Sequence, residues 1–323
     1  MRILKHHLIT NISRKSSLFI SLFLLTGVLI SCSKNQSPAE YEKSIIEWRE
    51  NRVESLTAPG GWLSLSGLYW LEDGTYSLGS DTENELIFPE KAPADIGEID
   101  VKGNEVQLYP SESAEIKLTE NHRDAEEVKE ISNISKGVIL NSDRADNTNY
   151  VQVGDYEFYL IQRGERLALR LIDYNHPKVE KFEGLDYFPI DQKWKLEAEF
   201  IPNEDGSTIG VPNIMGGIYQ EESPGKIAFE IEGKEYQLDV LPAYGGKQFF
   251  VILGDKTSGK STYGGGRYLY MMAPKKGETT AYIDFNKAYN PPCAFTEFAT
   301  CPLPPPQNRL DVAITAGEKD YHY

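Results

Sequence analysis

The sequence of 323 residues predicts a mainly β protein: an N-terminal sandwich-like half, a C-terminal antiparallel barrel or sandwich, and one short helix ahead of both. Three observations predict it. Short apolar runs recur from Thr75 onward, each bounded by Gly, Asn, Asp or Pro. Two-residue turn signals, Gly233-Lys234 above all, sit between runs of strand-forming residues. Helical periodicity is confined to the region before residue 60, which argues against a parallel α/β sheet.

Residues 1–31 read as a lipoprotein signal peptide. Arg2, Lys5, Arg14 and Lys15 form a positive region, Ser17–Ile30 is too short an apolar run to span a bilayer, and Leu29-Ile30-Ser31-Cys32 has the shape of a lipobox. Cys32 is then the lipidated first residue, anchored in the membrane of the cell envelope, the outer membrane where there are two. Residues 32–40 form a tether. Removing residues 1–31 takes four basic residues and no acidic one, which moves the formal charge from −16 to −20. A nucleic acid partner needs a basic footprint and is not expected.

The helix is Tyr41–Leu56, with Ser37-Pro38 at its start and Pro59-Gly60-Gly61 beyond its end. Trp62, Tyr69 and Trp70 follow, read either as core beneath the helix or as a sugar platform. The first half, residues 41–125, continues with strands at Thr75–Gly79, Glu85–Phe88, Gly97–Val101, Glu105–Tyr109 and Ala114–Thr119. The run GTYSLGSDTENELIFP resembles the opening of a forkhead-associated β-sandwich. That family's phosphothreonine-reading residues do not carry over, because Ser80 stands where it has arginine and Ala92–Gly97 offers no Ser-x-x-His.

The second half, residues 126–323, supplies strands at Tyr150–Gly154, Tyr156–Arg163, Glu165–Asp173, Lys193–Ile201, Lys226–Glu232, Glu235–Leu241, Gln248–Leu253, Arg267–Met272 and Thr280–Phe285, with a last one from Asn308 to Glu318. Gly254–Ser261 satisfies the phosphate-loop pattern, but three glycines, Gly264 to Gly266, follow where that mechanism needs a helix, so no nucleotide is expected. His122, His176 and His322 lack metal-ligand spacing, and no metal is expected. Asp143–Asn147 is acidic but lacks the glycine and glutamate of a calcium loop, and reads as solvated. No cofactor is identified.

Chemistry-bearing residues concentrate near the C-terminus. Asp255, Arg267, Asn286, Asn290, Asn308 and Arg309 form a candidate ligand-binding set, with Asp284 and Glu318 as candidate acid and base. Triple glycine before Arg267 signals a close backbone approach, to a ligand or to another strand. The opposing reading is a buried hydrogen-bond network that holds a proline-rich loop. Cys293 and Cys301 remain after lipidation of Cys32; a disulfide is the expected state of an exported pair, with metal ligation or a reactive thiol as alternatives.

The motifs NPPCAFT, ATCPLPP and NRL followed by AGE resemble the bacterial and archaeal family called domain of unknown function 1684, as do DKTSG, GGRYL and GWLSL. The resemblance implies no established activity, cofactor or catalytic residue. The functional expectation is an exported lipoprotein that binds a small polar or sugar-like ligand in a C-terminal cavity. Arg267 and Arg309 would clamp it, and Asn286, Asn290 and Glu318 would orient it. The alternatives are a hydrolase or lyase using Asp284 and Glu318, and a structural envelope protein.

Overall fold

A computed structural model describes residues 36–120, 129–132 and 134–321. The signal peptide, Cys32 and the start of the tether lie outside the described residues, as do His122 and His322. Residues 37–323 form one compact unit.

Helix α1 spans Pro38–Thr57. Ser37 caps it reciprocally: its Oγ accepts the Glu40 N–H at 3.3 Å, and Glu40 Oε2 accepts the Ser37 N–H at 2.8 Å. At 100° per residue, Tyr41, Ile45, Arg49, Arg52 and Leu56 fall within an arc of about 80°. This face turns toward the C-terminal segment, so two arginines sit on the buried stripe.

Two sheets make the first sandwich. One has six strands in the order 65–71, 166–173, 156–163, 149–153, 116–120 and 129–131, all antiparallel. The other has five, in the order 86–87, 74–79, 97–102, 105–110 and 138–139. Within it Leu78 and Gly79 pair with Leu86 and Ile87 in parallel. Leu78, Ile99, Leu108, Val151, Phe158 and Leu169 share one core between the sheets. Strand pairing crosses position 125, since 116–120 pairs with 149–153.

The C-terminal sheet has six strands in the order 267–272, 248–253, 234–243, 225–231, 195–202 and 280–284. Its first and last members are consecutive in the chain, so the sheet curls as a half-barrel. All six contribute to one core, which Phe285, Ala288, Leu310, Ile314 and Ala316 fill from the open side. A hairpin, Thr208–Pro212 with Ile218–Glu222, forms a separate two-stranded sheet and packs Val211 against Ile252 and Tyr268.

The expected last strand from Asn308 to Glu318 does not form. Gly254 and Arg309 make one isolated bridge, and so do Tyr187 and Glu318, but no ladder connects them. The reason is competition for carbonyls. Ile314, Ala316 and Glu318, spaced by two, turn their oxygens to the Arg267 guanidinium instead of a neighbouring strand.

Candidate functional site

Arg267 opens the strand Arg267–Met272 and is fully buried. Its Nη2 pairs with Asp255 Oδ2 at 2.7 Å and donates to the Ile314 carbonyl at 2.9 Å, while Nη1 donates to the carbonyls of Ala316 and Glu318. Asp255 spends its other oxygen on the Thr257 amide and hydroxyl, at 2.7 and 2.5 Å. Gly266, at φ +86°, lies against Leu253 O and Pro304, where an added Cβ would stand 2.6 and 2.4 Å away. The close approach signalled by the glycines is therefore to the neighbouring strand and a proline.

Glu318 is also fully buried. Its Oε1 pairs with Arg52 Nε at 3.0 Å and its Oε2 accepts the Asn290 N–H at 2.7 Å. Burial pushes its carboxyl pKa up, against the opposing pull of Arg52. Arg52 also donates to the Asn290 carbonyl at 2.9 Å and lies 4.7 Å from the Tyr289 ring centre. The Tyr187 hydroxyl and Asn290 Oδ1 are buried here without a hydrogen-bond partner among the described residues.

The asparagines fasten backbone. Asn286 accepts the Asp191 N–H at 3.1 Å and donates to the Asp191 carbonyl at 2.9 Å and to the Tyr41 hydroxyl at 2.8 Å. Asn308 accepts from Asp239 N at 2.8 Å and donates to the carbonyls of Asp239 and Ile252, each at 2.9 Å. Asn290 Nδ2 donates to the Lys319 carbonyl at 2.7 Å.

The structure thus brings Asp255, Arg267, Asn290 and Glu318 into one buried network. Arg309 stands apart: it is exposed, near Gly254, so it does not clamp a common ligand with the interior Arg267. Asp284 accepts from Tyr41 and Glu318 from Arg52. Those helix residues are eleven positions, or about 16 Å of axial rise, apart. Asp284 and Glu318 share no hydrogen-bond partner among the described residues. Tyr41, Arg49 and Arg52 were not among the expected residues; their sequence signal is the placement of arginines on the apolar stripe of α1.

Cys293 and Cys301 are brought together as free thiols, with the Cys293 N–H 3.0 Å from Cys301 Sγ. The expected disulfide is not formed here. Donation from the Cys301 thiol lowers the Cys293 pKa, and burial raises that of Cys301. Among the described residues no metal-binding group of His, Cys, Asp and Glu converges.

Trp62, Tyr69 and Trp70 do not share a platform. Tyr69 stacks on Phe88, Trp70 lies under Arg166, and Trp62 packs beside Leu56, Leu63 and Phe295. Beside the network, a cleft of about 530 Å³ is lined by Lys178, Lys181, Glu183, Asp186, Asp320 and Tyr321 among others. Its wall is continuous with Glu318, since the Lys319 N–H donates to Asp186 O at 2.8 Å.

A search of curated proteins gives no match. Among solved structures, the solution NMR structure of an uncharacterized protein of Haloarcula marismortui is 30% identical. The match covers 44% of this chain and 80% of that one, with a TM-score of 0.37. A family model described as "Protein of unknown function (DUF1684)" matches residues 180–319, the span that holds Arg267, both loop cysteines and Glu318. Residues 180–319 thus resemble this DUF1684 family.

Proposed function

We propose that the chain is an exported lipoprotein, anchored in the cell envelope through Cys32, that binds a small polar or sugar-like ligand in its C-terminal part. The observation that carries this reading is the cleft between Lys178 and Tyr321. At about 530 Å³ it has the size of a small-molecule site, and it combines an aromatic ring with charges of both signs. Tyr321, packed beside Phe182 and Phe295, supplies an aromatic wall, while Lys181 and Asp186 supply a donor and an acceptor for hydroxyls or a carboxylate. Arg267, Asp255, Asn290 and Glu318 then act behind the cleft, holding the backbone of residues 316–319 rigid. In the exported protein Cys293 and Cys301 close a disulfide that stabilises the loop between them by roughly 2–3 kcal/mol.

A hydrolase or lyase is the second reading, favoured by the burial of Glu318, which pushes its carboxyl pKa up against the pull of Arg52. A structural envelope protein is the third, favoured by how many of the network's donors go to backbone carbonyls. One experiment separates them. The full chain in detergent is screened by thermal shift against sugars, sugar acids, peptidoglycan fragments and amino acids, and each mixture is analysed for product by mass. A ligand that raises Tm, and loses that effect in Lys181→Ala with Asp186→Asn, supports the binding site. Product formation lost in Glu318→Gln supports the enzyme. A panel without shift or product sinks both.

A further inference from the structure

A second cleft, lined in part by Thr300 of the cysteine loop, carries chemistry that the reading above does not use. It measures about 120 Å³ and is lined by Arg144, Arg163, Asn213, Thr300, Tyr219 and Glu221 among others. Three arginines gather at its Thr300 edge. Arg163 Nε donates to Thr300 Oγ1 at 2.8 Å, Arg170 Nη2 donates to the same oxygen at 3.3 Å, and Arg144 lines the opening. Having accepted twice, the Thr300 hydroxyl keeps its own proton to give away.

Charge makes this cluster unusual in a chain of net −16. Asp143 pairs with Arg163 Nη1 at 2.7 Å, and Glu221 stands at the cleft wall. Arg170 is only 2% exposed, yet it has no ion pair among the described residues and its Nε finds no acceptor. Glu157, diagonal to it across the paired strands, is buried too but makes no ion pair with it, and its Oε1 is unpartnered. A buried guanidinium with no direct ion pair is under-compensated, and a bound anion beside Thr300 would supply the missing contact.

We propose that this cleft binds a small tetrahedral oxyanion, a phosphate group. The volume excludes a large ligand and admits an ion of this size. Arg144 and the outer nitrogen of Arg163 supply the fork geometry suited to phosphate oxygens, and the Thr300 hydroxyl donates from the floor. Arg170 acts through Thr300 as a positioning residue.

The test is calorimetric titration of the full chain in detergent at low ionic strength, with inorganic phosphate and separately with glycerol phosphate. One site per chain is expected. Arg144→Gln, at an exposed position, lowers the affinity about tenfold or more. Arg163→Lys, which keeps the charge but loses the fork, weakens it as well, and Lys102→Gln, at the end of a strand of the other sheet, leaves it unchanged. Binding of phosphate alone identifies the free ion as the ligand, and binding of both identifies a site that accepts an esterified phosphate. Absence of binding for either at millimolar concentration, or an affinity untouched by Arg144→Gln and Arg163→Lys, overturns the proposal.

Discussion

A guanidinium with no exposure must find its acceptors inside the protein: the terminal nitrogens of Arg267 meet one carboxylate and three carbonyls, while its Nε is left without an acceptor among the described residues. The pair with Asp255 is fully desolvated on both sides. Removing one partner leaves a bare buried charge, which costs far more than the pair contributes. Arg267→Met is therefore expected to lower the unfolding free energy by roughly 3–5 kcal/mol. The double variant with Asp255→Leu should lose much less than the two single losses together. Chemical denaturation of the four chains checks this as a double-mutant cycle, and additive losses would refute the coupling. Sequence reasoning placed Arg267 and Glu318 near each other, and they are. It had no means of seeing that backbone carbonyls, which carry no residue signature, would take up the arginine.

At the scale of elements, the cysteine loop is held by packing of its own as well as by any bond between its sulfurs. Cys301 is 3% exposed and Cys293 is half-buried, so only Cys293 meets solvent. With its pKa held below the ordinary thiol value by the Cys301 thiol and the Tyr263 hydroxyl, Cys293 is the more reactive of the pair. Iodoacetamide should modify Cys293 first in the reduced protein, with a midpoint in pH below that of a free cysteine, while Cys301 stays unmodified until the protein unfolds. Oxidised glutathione, taking up two electrons and two protons, should then block both sites at once as the disulfide forms. Peptide mass mapping reads each outcome, and equal labelling of the two thiols would contradict the geometry. Elements were legible where a turn residue separated two strand-forming runs: Lys226–Glu232 and Glu235–Leu241 appear as 225–231 and 234–243. They were illegible where burial did not alternate. The strand Leu65–Leu71 carries aromatics on both faces, Trp70 beneath Arg166 and Tyr69 against Phe88, and so reads as a cluster. The hairpin Thr208–Pro212 with Ile218–Glu222 exposes much of its length and gives little apolar pattern to find.

Over the whole molecule, the first sandwich and the half-barrel are distinct cores, yet the chain folds as one compact unit from Ser37 to Tyr323. The connection runs through elements that belong to neither core. Helix α1 precedes the first sandwich but sends Tyr41, Arg49 and Arg52 to Asp284, Phe188 and Glu318. The cysteine loop returns the contact, with Phe295 packed beside Leu56 and Leu63, and with Thr300 accepting from Arg163 and Arg170 of the first sheet. The helical period of α1 marks its arginines but not their partners, and a threonine in a proline-rich loop acquires meaning only when the chain has folded. Because these contacts reach into both cores, unfolding one half strips buried arginines of their partners in the other, a cost that couples the two transitions. Thermal unfolding of the full chain in detergent should therefore give one transition, with near- and far-ultraviolet circular dichroism coincident. Arg52→Ala, which removes the helix from Glu318 without touching either core, should split or broaden it. Two separate transitions in the unaltered chain would show instead that the halves fold independently and that helix and loop merely rest against them.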